Sequence, residues 1–177
     1  LHLSVHSFPT RRSSDLLVFS DVRDALGGQL ELMNSGGGTL SPELCRLYHG
    51  MGLPIYEGYG LTETAPVVST NPPEEPKIGT IGPPLPDVDV KIDTSIAPEG
   101  KFTDAIGEVG ELLVKGPNVT DGYWNKPDKT DAAFAEIDGE RWFRTGDVVQ
   151  QRPDDYLVFR ERAKQILVLS TGKNVAP

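Results

Sequence analysis

Tyr56-Glu57-Gly58-Tyr59-Gly60-Leu61-Thr62-Glu63-Thr64 is the stretch on which the reading of this chain turns. Two glycines flank an aromatic, so the backbone can turn sharply and approach a ligand while Tyr59 offers a flat face for stacking. Thr62 and Glu63 follow as hard oxygen donors of the kind that hold Mg²⁺ beside phosphates. Read alone, the stretch is more simply an ordinary strand-to-helix turn with a capping threonine. Its neighbours have to decide.

Upstream, Pro54 to Tyr56 reads as a strand. Ser41-Pro42 is an N-cap followed by proline at the first helical position, and the helix it opens runs to His49, where Gly50 stops it. Before it come the loop Ser35-Gly36-Gly37-Gly38-Thr39, a strand in which Leu30, Leu32 and Asn34 alternate, and a helix over Val18 to Leu26 ended by Gly27-Gly28. Strand, loop, helix and strand in this order predict a parallel sheet, whose ligands sit beyond the carboxyl ends of the strands. Both glycine-containing loops fall at such ends. The triple glycine by itself fits neither a dinucleotide fingerprint nor a phosphate-binding P-loop.

Downstream of Ser69 the texture changes. Asn71 to Pro76 is an extended connector that cannot be helical, and Gly79 to Pro86 continues it. Val88, Val90 and Ile92 alternate with charged residues as a half-buried strand. Glu108 to Lys115 is a second, bounded by Gly107 and Gly116-Pro117. Trp142 to Arg144, Val148 to Gln151 and Tyr156 to Arg160 supply short strands, with one helical insert near Lys126 to Ala135. Gly122-Tyr123-Trp124 reads as apolar packing. Such runs of short strands predict a small β-barrel or distorted sheet.

Three motifs together carry a resemblance. The opening stretch resembles the adenine and Mg²⁺ motif of the adenylate-forming superfamily, Trp142-Phe143-Arg144-Thr145-Gly146-Asp147 its ribose motif, and Arg162-Ala163-Lys164 with Ser170-Thr171-Gly172-Lys173-Asn174 its hinge and the loop that follows. The wording is most similar to bacterial long-chain fatty acid CoA ligases. The resemblance implies an α/β plus β fold: residues 17–70 end an α/β adenine-binding layer, 71–160 form a β-barrel-like subdomain, and 161–177 hold the hinge and the start of a C-terminal domain. It implies nucleotide contacts from Gly37, Gly38, Thr39, Glu57, Gly58, Tyr59, Gly60, Thr62, Asp147 and Arg162. Thr62 and Glu63 would be the catalytic and metal-holding pair, and Lys164 the hinge. ATP, Mg²⁺ and CoA follow, with a carboxylic acid, foremost a fatty acid, as substrate. Gly38 and Thr39 stand where alanine and proline are usual in the family, and Glu161 where glycine or aspartate is usual.

Asp147 also makes sense on its own chemistry. One carboxylate can accept from two vicinal hydroxyls, so a ribose diol suits it, and a turn aspartate is the plainer alternative. Arg162 offers a fixed cationic fork, or is a surface arginine. The reaction implied has two steps: a carboxylate attacks the α-phosphate of ATP, and a thiol then displaces AMP from the acyl adenylate. The family's phosphate loop and its C-terminal lysine have no match here, so turnover is not expected of these 177 residues alone.

Composition narrows the function further. Ser7 to Leu16 resembles the translation of a common sequencing adapter, and residues 1–16 are expected to lie outside the fold. They carry two arginines and one aspartate, so without them the formal charge of −9 becomes −10. So acidic a chain argues against a nucleic-acid surface. His2 and His6 leave with that segment, and the remaining His49 cannot build a histidine-based triad or metal centre. Cys45, the one cysteine, has no disulfide partner and reads as a small half-buried side chain. No apolar run is long enough to span a membrane, so the expected place is the cytoplasm or the periphery of a membrane.

Overall fold

The computed structural model describes residues 13–97, 100–162, 167–168 and 174–175. A helix, α1 (Ser13–Ala25), leads to strand β1 (Met33–Ser35), helix α2 (Pro42–Gly50), β2 (Ile55–Gly60) and β3 (Val67–Thr70). β1 and β2 pair in parallel, as the strand–helix–strand order requires, and β3 adds antiparallel to the other side of β2. α1 begins at Ser13, before the expected start at Val18 and inside the adapter-like segment.

α2 starts where the sequence indicates. Ser41 Oγ accepts the Leu44 N–H at 3.1 Å, and Pro42 occupies the first turn. Its end differs from expectation, because Gly50 stays helical. The chain leaves the helix two residues later, where Gly52 N–H donates to His49 O and Leu53 N–H to Tyr48 O, both at 3.0 Å. Cys45 is buried, not half-buried, with its thiol 3.5 Å from Ile55 O. His49 donates from Nε2 to the same carbonyl at 2.9 Å, a structural role.

The second sheet contains β4 (Asp89–Asp93), β5 (Glu108–Lys115), β6 (Phe134–Ile137), β7 (Glu140–Gln151) and β8 (Leu157–Arg162). All its pairings are antiparallel. The order is β4-β5-β7, and β6 and β8 share the far edge of β7. The two short strands expected between Trp142 and Gln151 are one strand of 12 residues with an irregularity inside it. A short helix, α3 (Pro127–Ala133), precedes β6; β9 (Leu167–Val168) and β10 (Asn174–Val175) form a separate antiparallel pair. Trp124 overturns the packing reading, since it is 87% exposed.

The core lies between the sheets. Val68 and Ile81 pack against Leu112, Val114, Val149 and Leu157, all buried. What looked like a plain connector after Ser69 is the seam that joins the two layers. Asn71 is buried there and donates from Nδ2 to Thr80 O at 2.6 Å, closing the proline-rich loop. Ile81 N–H then donates to Leu157 O at 2.8 Å, and Leu157 N–H to Gly82 O at 3.0 Å.

The glycines of the opening stretch need a different explanation from the expected turn. Gly58 and Gly60 lie within β2, and a Cβ on Gly60 would sit 1.6 Å from Pro66 O. The chain doubles back so closely after Thr62–Thr64 that no side chain fits at Gly60.

Candidate functional site

A cavity of about 300 Å³ opens between the two sheets, at the small end of the range for ligand pockets. The loop Gly37–Leu40 forms one wall and Glu57 to Gly60 of β2 another, with Gly79 to Ile81, Asp147 of β7, and Phe159 and Arg162 of β8 completing it. The carboxyl ends of β1 and β2 both face this space, as a parallel pair would place them.

Glu57 organises the glycine loop. Its buried Oε1 accepts the Leu40 N–H at 3.0 Å, and its own carbonyl accepts the Asn71 N–H at 2.8 Å. Burial pushes the Glu57 carboxyl above its usual range, and the Leu40 N–H offsets part of that rise. Glu57 thus both lines the cavity and fixes the loop that forms another of its walls.

Tyr59 and Asp147 meet across the cavity. The Tyr59 hydroxyl donates to Asp147 Oδ2 at 2.7 Å, and its ring lies 6.4 Å from that of Phe159. Burial, followed by the charge and hydrogen bond of Asp147, drives the phenol far above its ordinary value, so Tyr59 stays a donor at any physiological pH. Asp147 is completely buried. It pairs in register with Arg162 across β7 and β8, and Arg162 Nε lies 3.3 Å from Asp147 Oδ1. The Arg162 side chain is 60% exposed, so this pair sits where the cavity meets solvent. The two residues that resemble the ribose and hinge motifs thus share one wall.

Thr62 and Glu63 lie apart from the cavity lining, on the 3-10 turn that follows β2. Glu63 is half-buried. Its Oε1 accepts from the Tyr123 hydroxyl at 2.8 Å, and its carbonyl accepts the Thr120 N–H at 2.8 Å. The hydrogen bond to Glu63 raises the Tyr123 phenol, keeping it protonated as the donor. Among the described residues no cluster of three or more His, Cys, Asp or Glu side chains could cage a metal. One carboxylate beside one hydroxyl fits Mg²⁺ all the same, because that ion keeps waters and takes phosphate oxygens as ligands. Lys164 lies outside the described residues.

The description of AMP-binding enzymes matches residues 6–124. The chain belongs to the AMP-binding enzyme family. Its relatives in that family include the long-chain-fatty-acid–CoA ligase FadD15 of Mycobacterium bovis, 41% identical over 163 residues, which cover 92% of this chain and 24% of that protein. Long chain acyl-CoA synthetase 8 of Arabidopsis thaliana is 39% identical over 164 residues, with 92% and 23% covered. Among solved AMP-binding folds, O-succinylbenzoate coenzyme A synthetase (MenE) from Bacillus subtilis, in complex with ATP and magnesium ion, superposes with a TM-score of 0.65 at 28% identity, covering 89% of this chain and 33% of that one. The chain spans about a quarter of the length of the curated relatives it matches.

Several cavity residues of this AMP-binding chain went unread in the sequence. Gly79, Thr80 and Ile81 read as connector in the sequence, although the glycine at 82 inside a proline-rich run signals close backbone approach. Phe159 was seen only as a strand residue. Tyr123, outside the cavity lining, reads as packing in the sequence, and nothing local to it announces the Glu63 contact. Within the described residues no helix is long and apolar enough to cross a membrane.

Proposed function

We propose that this chain is the nucleotide-binding portion of an AMP-forming acid–thiol ligase that activates a carboxylic acid, foremost a fatty acid, and passes the acyl group to CoA. The observation that carries the reading is the buried Asp147 at the cavity wall, held by Tyr59 and flanked by Arg162, opposite the glycine loop. The carboxylate would accept the ribose hydroxyls, with Arg162 beside it and the Tyr59 ring and Gly37-Gly38-Thr39 against the base. A substrate carboxylate oxygen attacks the α-phosphorus, the bond to the bridging oxygen breaks, and pyrophosphate leaves. A thiol then attacks the acyl carbon, and AMP departs with the bonding electrons. Positioning and charge stabilisation account for most of such catalysis. Glu63 and Thr62 would hold Mg²⁺, which supplies charge neutralisation on the phosphates.

Acid-dependent exchange of pyrophosphate into ATP, measured on the longer ligase that contains this chain, tests the proposal. Asp147→Ala should cut exchange and ATP affinity by about 10²-fold, since roughly 2 to 3 kcal/mol of charge-assisted contact is lost, and leave the apparent affinity for the acid largely unchanged. Nucleotide binding with no acid-dependent exchange would point instead to a non-catalytic nucleotide-binding module. Acyl transfer to a carrier protein but not to CoA would correct the acceptor. The same proposal places the enzyme in the cytoplasm or at the surface of a membrane.

A further inference from the structure

β5 and β7 are out of step at one point. Glu111 faces Val148 and Leu113 faces Arg144, so Leu112 alone on β5 lies opposite Thr145, Gly146 and Asp147 on β7. One residue against three leaves two extra residues on β7. An even excess keeps both faces of the strand in register on either side of the irregularity. Asp147 then shares the face of Val149, which packs in the core cluster that Tyr59 also joins.

Side chains hold this irregularity in place. Glu111, only 5% exposed, accepts the Gly146 N–H at Oε1 over 3.0 Å and binds the Arg144 guanidinium at Oε2. Arg144 also reaches Asp93 Oδ2 on β4 at 3.4 Å. Thr145 Oγ1 donates to Leu112 O at 2.8 Å and accepts the Asp147 N–H at 3.1 Å. Gly146 takes φ +70°, which a residue with a side chain rarely adopts. The amide of Asp147 and the one before it are both held by side chains at fixed positions.

We infer that Glu111 is the positioning residue that aims Asp147 into the cavity, by clamping Arg144 and the Gly146 amide on either side of Thr145. This rests on the ribose role proposed for Asp147. Glu111 touches no nucleotide in this scheme, since it lies on β5 outside the cavity lining. A buried ion pair could instead serve only to stabilise the sheet, so the test needs a readout that stability alone would not move.

AMP and 2′,3′-dideoxy-AMP are titrated calorimetrically into the full chain as wild type, Glu111→Gln, Glu111→Ala and Asp147→Ala, and amide hydrogen exchange is followed at Gly146 and Asp147. Glu111→Ala should speed exchange at the two amides by about tenfold or more, and Glu111→Gln, which loses the charge that holds Arg144, by a smaller but measurable factor. They should also reduce the preference for AMP over the dideoxy analogue by about tenfold, part of the way to the roughly 10²-fold loss expected of Asp147→Ala. Glu111→Gln should keep part of the preference, because its amide oxygen can still accept the Gly146 N–H, and it carries the test if Glu111→Ala does not fold. Unchanged exchange at both amides overturns the inference. So does a full wild-type preference in folded Glu111 variants when Asp147→Ala has lost it. If Asp147→Ala itself keeps the preference, the ribose reading fails, and the exchange rates alone decide whether Glu111 holds Asp147.

Discussion

Replacing Gly60 by alanine separates two explanations of the glycines in the opening stretch. If they exist to let a ligand approach, Gly60→Ala should fold normally and bind nucleotide poorly. The geometry predicts the opposite order of effects. The new Cβ would meet Pro66 O at 1.6 Å, Pro66 C at 2.6 Å and Val67 Cα at 2.8 Å, all backbone atoms that cannot rotate away. Relief requires β3 to move off β2 by nearly 2 Å, since ordinary contact begins at 3.4 Å. That displacement breaks the Gly60–Val67 pairing and strains the 2.8 Å contact of the Thr64 hydroxyl with Pro66 O. Overpacking costs about 1–3 kcal/mol, and a lost hydrogen bond about 1 kcal/mol more. A total of about 3 kcal/mol corresponds to a Tm fall of roughly 6–12 °C for a domain of this size. Thermal unfolding of the full chain, followed by circular dichroism, measures it. Gly38→Ala is the control, because its Cβ would meet nothing within 4 Å. A Gly60→Ala midpoint as close to wild type as that of Gly38→Ala would refute the argument.

Three further outcomes follow from the site. Because burial raises the Glu57 carboxyl above 4.5, the stability it contributes is present below that value and lost as pH rises through its folded-state value; Glu57→Gln should therefore gain on wild type between about pH 4 and pH 7 in urea midpoints, and a constant difference would refute it. Tyr123→Phe removes the hydroxyl that orients Glu63, and should weaken the Mg²⁺ dependence of pyrophosphate exchange by about tenfold while the folded fraction stays unchanged; identical Mg²⁺ curves would show that the contact is incidental. Lys164→Pro, at the proposed hinge, should spare pyrophosphate exchange and abolish CoA-dependent thioester formation in the longer ligase, whereas equal loss of both half-reactions would count against a hinge there.

The bounds of β5 were legible in the sequence to the residue, because Gly107 stands on one side and Gly116-Pro117 on the other, but the strand is buried on both faces from Gly110 to Val114 and not half-buried. α2 was legible at its start for a similar reason: Ser41 and Pro42 act on their own backbone. Its end was not, because the glycine that mattered was Gly52 and Gly50 tolerates a helix. The site divides along the same line. Asp147, Arg162, Tyr59 and the Gly37–Thr39 loop carry motif spacing, and the structure brings them to one cavity. Glu111 and Tyr123 act through partners far away in the chain, and no local pattern records a contact of that kind. Thr62 and Glu63 belong to the same motif in the sequence as Tyr59, and the reversal after Gly60 sets them on a turn beside the cavity lining.

The seam at Ile81, Gly82 and Leu157 gives the cavity a mechanical property. Its walls belong to separate sheets, and the backbone joins them there through two hydrogen bonds on one residue of β8. A ligand that touches the glycine loop on one side and Asp147 on the other would act as a second rivet between the layers. The two sheets could then no longer open independently, and exchange of the slowest amides in β2 and β8 should converge on a single rate when nucleotide is bound.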